Sequence, residues 1–287
     1  MTPVNIAASI RARLLNKARE TNRPFQELIQ YYALERFLFR FGVSKHRDRF
    51  VLKGALMLRA FNAPMMRPTK DIDLLGAADN SIENIETVVR DVCTVPVVDD
   101  GISFSPDTVQ GELIKEESTY SGVRVKFKGQ LENAKIPMQI DVGFGDAVFP
   151  PPEEREYPAM LEFDAPKLKM YSLEAVIAEK FQTMVERGTM NSRMKDFFDI
   201  YTLSKQYEFN RDNLAAAIKQ TFENRNTELT ATPIVFEDSF AQNENIAKQW
   251  RAFLKRGMQG TAPDDIGEVI CGIQQFIAPI LSSATAK

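Results

Sequence analysis

Histidine is nearly missing from this chain of 287 residues: His46 stands alone. One imidazole excludes histidine-based triads, histidine metal clusters and zinc sites built on paired histidines. His46 itself, in the polar loop 44–49, is expected at the surface. Cysteine is almost as scarce. Cys93 and Cys271 are too few for a disulfide framework or a cysteine zinc site, and suit a reducing compartment. No stretch approaches the ~18 apolar residues of a membrane span, residues 1–10 lack the apolar segment of a signal peptide, and neither repeats nor low-complexity tracts occur. These absences together lead to the expectation of a cytoplasmic protein with no membrane partner. A cationic excess is absent too: the formal charge of -3 gives no global attraction for nucleic acid, so such a partner needs a local basic patch. Any chemistry is left to carboxylates, lysines and metal.

What is present begins with 44% apolar residues over a length sufficient for two domains or one large one. The stretch 50–75, FVLKGALMLRAFNAPMMRPTKDIDLL, places two acids inside an apolar strand pattern. In a strand over 71–75, residues two apart share a face, so the carboxylates of Asp71 and Asp73 point together. They repel one another unless a cation lies between them, and a hard, oxygen-seeking ion such as Mg²⁺ is suited to that place. Upstream, Lys53-Gly54-Ala55 interrupts an apolar run as a strand-to-helix turn, where a small residue lets backbone N–H groups approach a phosphate. Arg67, Thr69 and Lys70 add donors suited to a triphosphate. An isolated Asp-x-Asp or glycine turn is often only structural, and a charged cluster before a strand is commonly a solvated loop.

Elsewhere, helical spacing predicts amphipathic helices over 3–20, 25–41 and 81–93, the second apolar around most of its girth, the third capped by Ser81. Residues 103–105 read as a short strand. Alternation within 112–128 predicts a strand with Val123, Val125 and Phe127 on one face and Arg124, Lys126 and Lys128 on the other. A turn over 129–135 leads to a hairpin partner over 136–142 that carries Asp141, an acid late in a buried-looking strand. Pro150, Pro151, Pro152, Pro158 and Pro166 mark an extended connector and the best domain boundary. Beyond it the pattern is helical: 172–186, a helix from about 192, then 211–225, 240–256 and 263–281. Lys180 falls in the middle of the apolar stripe of its helix and needs an acidic or phosphate partner. Asp196 and Asp199, one turn apart on the next helix, supply such acids, with Arg193 and Lys195 beside them. Lys180 and Asp196 read either as a purely structural buried pair or, functionally, as a lysine that with Arg193 or Lys195 neutralises nucleotide phosphates while Asp196 orients it. Trp250 is read as core, not as a base-stacking platform.

Taken in order, YALERFLFRF, FVLKGALML, RPTKDIDLLG, IDVGFGD and YSLEAVIAEKFQTMVERGTMNSRMKDFFDIYTL resemble the AbiEii/AbiGii family, the nucleotidyltransferase-like toxins of bacterial type IV toxin–antitoxin and abortive-infection systems. The resemblance spans nearly the whole chain. It implies an α+β fold: a DNA polymerase β-like nucleotidyltransferase core over 50–165, an N-terminal helical segment over 1–49 and a C-terminal helical domain over 166–287. It also implies divalent metal, Mg²⁺ or Mn²⁺, on Asp71, Asp73 and Asp141, with Lys180 and Asp196 joining them as catalytic residues and Asp199 completing an Asp-x-x-Asp segment. NTP binding falls to Lys53, Gly54, Arg67, Thr69, Lys70, Lys180, Arg193 and Lys195. The implied reaction moves a nucleoside monophosphate from an NTP to an acceptor such as a tRNA 3′ end, arresting growth, with a cognate antitoxin that need not touch the toxin. The wider superfamily commonly has Gly-Ser at the phosphate turn. Here Gly54-Ala55 lacks the hydroxyl, leaving Thr69 or Lys53 to substitute. The alternative is a non-catalytic module on the same scaffold that binds nucleotide, RNA or a partner protein. A nucleotide-sugar glycosyltransferase using Asp-x-Asp fits the other segments less well.

Overall fold

The computed structural model describes residues 5–61, 68–77, 79–114, 122–258 and 260–285. Among them are seven strands and ten α-helices, and the chain divides into two compact units. The first unit comprises 1–145 and 153–170, the second 146–152 and 171–287.

The first unit opens with α1 (Ile6–Glu20), capped by the Asn5 side chain on the Ala8 N–H, and α2 (Phe25–Gly42). As its composition predicts, α2 is buried around most of its girth. After a 3₁₀ turn over 47–49 come β1 (Phe50–Lys53), α3 (Gly54–Met57), β2 (Asp71–Gly76), α4 (Ile82–Cys93), β3 (Ile102–Ile114), β4 (Gly122–Leu131), β5 (Ala134–Phe144), β6 (Glu153–Glu156) and β7 (Lys167–Met170). The strands form one mixed sheet in the order β3-β4-β5-β2-β1-β7-β6. β2 runs antiparallel to β1 and parallel to β5. This strand, glycine turn, short helix and return strand, with a third strand alongside, is the arrangement that the α+β expectation implies for its core.

Alternation divides the sheet into two chemically different faces. Leu52, Ile72, Leu74, Val123, Val125, Phe127, Ile140 and Val142 are buried on one of them. On that side Phe37 of α2 meets Phe104 and Phe127, and Phe41 meets Phe50. The opposite face carries the charged residues of the same strands, and strand register aligns them into a row: Lys53 pairs with Asp73, Asp73 with Asp141, Asp141 with Arg124 and Arg124 with Glu112. Burial of the apolar face fixes this register, because a one-residue slip would exchange the faces.

In this unit three local expectations differ from the structure. His46 is buried rather than at the surface: its Nε2 lies 2.8 Å from Asp91 of α4, and its N–H donates to Ser44 Oγ. The short strand at 103–105 is the start of the thirteen-residue β3, whose alternation is broken by a register shift between Ser105 and Gln110. Pro106 falls in that break, and β3 is an edge strand, where a missing N–H is tolerated. The proline-rich connector contains the edge strand β6, whose Glu-Glu-Arg-Glu sequence conceals it from a hydrophobic pattern while suiting a sheet edge.

The second unit is helical: α5 (Leu173–Arg187), α6 (Met194–Gln206), α7 (Arg211–Asn224), α8 (Asp238–Ala241), α9 (Glu244–Leu254) and α10 (Ile266–Thr285). Ser172 caps α5 through the Ala175 N–H, and Gly188, with φ 46°, ends it in the left-handed region. The single helix expected over 240–256 is two, divided where the Asn243 side chain caps α9. Trp250 is fully buried against Phe198 and Phe253, as expected of a core residue. No helix among the described residues is long and apolar enough to cross a membrane.

Candidate active site

Asp71 and Asp73 open β2 and lie on the charged face of the sheet, two residues apart as their spacing predicts. Gly54 stands directly against Asp73. Its φ is 74°, which L side chains rarely adopt, and a Cβ built there would land on the Asp73 carboxylate. The glycine turn and the acidic pair thus form one structure, with the start of α3 beside the carboxylates. Two carboxylates on one face of a strand are a donor set that suits Mg²⁺, which typically takes one or two carboxylates and completes its shell with water and phosphate oxygens. Thr69 reaches the same strand entrance, its N–H donating to the Tyr31 hydroxyl at 3.2 Å. Lys70 directly precedes β2, and Lys53 pairs in register with Asp73. Arg67 lies outside the described residues.

Asp141 stands beside Asp73 on the adjacent parallel strand, about 4.8 Å away at the backbone. Its carboxylate is already engaged: Arg124 Nε donates to Oδ1 at 2.9 Å and Nη2 to Oδ2 at 2.7 Å. Gln139 Nε2 adds longer contacts of 3.2 and 3.4 Å to the same two oxygens. The fold therefore brings the three strand carboxylates to one face, while no group of three His, Cys, Asp or Glu side chains among the described residues forms a metal-ligand cluster. Arg124 is held charged by its hydrogen bonds to Asp141, and the nearby charges of Asp71 and Glu112 act in the same direction.

In the second unit Lys180 has the inward placement its position in the stripe predicts, its side chain 12% exposed. Nζ lies 3.0 Å from Asp196 Oδ1 and 2.7 Å from Asp199 Oδ2, and both acids are 1% exposed. Arg193, at the N-cap of α6, donates through Nε to Asp196 Oδ2 at 2.8 Å. Burial alone would raise the Asp196 carboxyl, but Lys180 and Arg193 outweigh it and hold the group below the usual carboxylate range. Lys195, one residue before Asp196, is exposed.

A second polar network in this unit escaped the sequence reading. Arg225 donates to Asp146 Oδ1 at 2.9 Å and to Gln182 Oε1 at 2.8 Å, and lies 3.5 Å from Glu179 Oε1, which also accepts from the Tyr171 hydroxyl. Glu179 adjoins Lys180 in the chain, which is the one sequence signal for it. Arg225 carries none, since it follows the last turn of an ordinary amphipathic helix.

The sequence model of the nucleotidyl transferase AbiEii toxin family, type IV toxin–antitoxin system, matches residues 36–270. No curated protein matches the chain. Among solved structures, a protein from H. pylori named as a candidate nucleotidyltransferase is 15% identical with a TM-score of 0.49, over 89% of this chain and 95% of that one. JHP933 from Helicobacter pylori is likewise 15% identical, with a TM-score of 0.47, over 87% of this chain and 89% of the other.

Proposed function

Because the chain belongs to the AbiEii family of nucleotidyl transferase toxins, we propose that it transfers a nucleoside monophosphate from an NTP to an acceptor hydroxyl, such as a tRNA 3′ end, and arrests growth. The observation that carries this reading is the packing of the Gly54 turn against Asp73, with Asp71 on the same face. It supplies in one place a cradle for phosphates and a pair of carboxylates for a divalent ion.

The acceptor hydroxyl oxygen attacks the α-phosphorus and gives up its proton to solvent, the bond from that phosphorus to the bridging oxygen breaks, and pyrophosphate departs with the electron pair. Mg²⁺ held by Asp71 and Asp73 would neutralise triphosphate oxygens during this step. Lys53, Thr69 and Lys70, at the entrance of the same strands, orient the triphosphate, together with Arg67, which precedes Thr69 in the chain. In the second unit Lys180 is fixed by Asp196 and Asp199, with Arg193 and Lys195 close in sequence. A cognate antitoxin is the expected regulatory partner.

The test is incubation of the protein with each α-labelled NTP, Mg²⁺ and total tRNA. Label is expected on RNA with the unaltered chain, falling roughly 100-fold or more in Asp71→Ala and Asp73→Asn, the scale set by losing a group that acts in the transition state. Nucleotide binding without label transfer would replace the enzyme by a binding module. Full activity in Asp71→Ala would remove the metal pair from the mechanism.

A further inference from the structure

The charged face of the sheet contains a pair that the reaction as described leaves unused. Arg124 and Asp141 are direct cross-strand partners on β4 and β5, joined by two parallel hydrogen bonds. A carboxylate has about four lone-pair sites. Here two accept from Arg124, and Gln139 Nε2 reaches both oxygens as well. With its acceptor capacity so committed, Asp141 has little left to offer a metal ion or an acceptor proton. The guanidinium is in the opposite position. Of its five N–H donors two are spent on Asp141, which leaves three, and the side chain is 34% exposed. Its place in the row is one strand beyond Asp141, which itself adjoins Asp73. A planar fork fixed from behind by a carboxylate is well suited to binding a phosphate.

We propose that Asp141 is a positioning residue for Arg124, and that Arg124 binds a phosphate oxygen of the nucleoside triphosphate whose metal rests on Asp71 and Asp73. This rests on the nucleotidyl-transfer reading above and assigns the phosphate contact that Gly54-Ala55, lacking a hydroxyl, does not supply. A purely structural pair would behave differently. A half-exposed ion pair contributes little to stability, and its loss would leave nucleotide affinity untouched.

The experiment measures Mn²⁺ binding without nucleotide, and then the affinity for a non-hydrolysable NTP with Mn²⁺ saturating, in the full chain and in Arg124→Gln, Arg124→Lys, Asp141→Asn and the double variant Arg124→Gln/Asp141→Asn. Mn²⁺ affinity is expected to stay within about twofold in all four. Nucleotide affinity should fall about ten- to a hundredfold in Arg124→Gln, the range for a hydrogen bond to a charged group. Arg124→Lys should recover only part, because an ammonium cannot replace the fork. The double variant should be no weaker than Arg124→Gln alone, since Asp141 acts through the arginine. A tenfold loss of Mn²⁺ affinity in Asp141→Asn would make Asp141 a metal ligand and overturn the proposal, as would unchanged nucleotide affinity in Arg124→Gln. Asp71→Asn and Asp73→Asn serve as controls. If Mn²⁺ binding survives both, the metal site itself is wrong; if it is lost in them while Arg124→Gln has no effect, this inference alone fails.

Discussion

At the scale of the residue, Glu35 couples stability to pH from a position closed to water. It is fully buried in α2: Oε2 accepts from the Met160 N–H at 2.7 Å, Oε1 has no hydrogen-bond partner, and Arg36 Nη1 is 3.8 Å from it. Burial pushes its carboxyl from an ordinary 4.5 up to about 7, against the Met160 hydrogen bond and the charges of Arg36 and Arg59. The folded chain then holds a proton that the unfolded chain has released between those two values. Stability therefore falls as pH rises from 4.5 to about 7 and is level on either side, a contribution of about 3 kcal/mol. Urea unfolding at pH 5, 6, 7 and 8 should show this slope in the unaltered chain and lose it in Glu35→Gln. Equal slopes in the two proteins would contradict the assignment.

Among the elements, the turn from β1 into α3 ties shape to chemistry most tightly. Gly54→Ala forces a side chain into left-handed backbone and drives its methyl into the Asp73 carboxylate. The expected outcome is a loss of about 1 to 3 kcal/mol in stability together with near-complete loss of transfer. Ala55→Ser, which restores the commoner turn sequence, should fold normally and keep or raise nucleotide affinity. Retained activity in Gly54→Ala would detach the turn from the site. The elements that built this region were legible in the sequence because period-two patterning and a glycine break are strong local signals. The shared face of Asp71 and Asp73 follows from the same period of two, and the inward placement of Lys180 from its position in an apolar helical stripe. What stayed hidden depended on register and tertiary partners. The partnership of Arg124 with Asp141 follows only when the turn is placed between Leu131 and Ala134, more narrowly than 129–135. His46 is buried because Asp91 on a separate helix meets it, and nothing near His46 in the chain announces that acid.

For the whole molecule, a net charge of -3 means that a nucleic-acid acceptor is attracted locally or not at all. Lys126 is neutralised by Glu112 at 2.6 Å, whereas Lys128, two residues along β4, is exposed. If RNA is the acceptor and crosses this face, the logarithm of its KM rises with log salt, and Lys128→Ala lowers that slope by about one. Lys126→Ala should change it less. A slope indifferent to Lys128 would place the acceptor elsewhere. The tight connection between Leu131 and Ala134 carries a heavier consequence. With the turn held at two residues, one residue inserted there would bring Ile140 opposite Arg124 and turn Asp141 toward the oily side, so such a slip cannot remove the charged row without also unmaking the protein's interior. Loss of toxicity by such a route would be detected as loss of the protein, and escape variants that remain folded should instead cluster at single side chains.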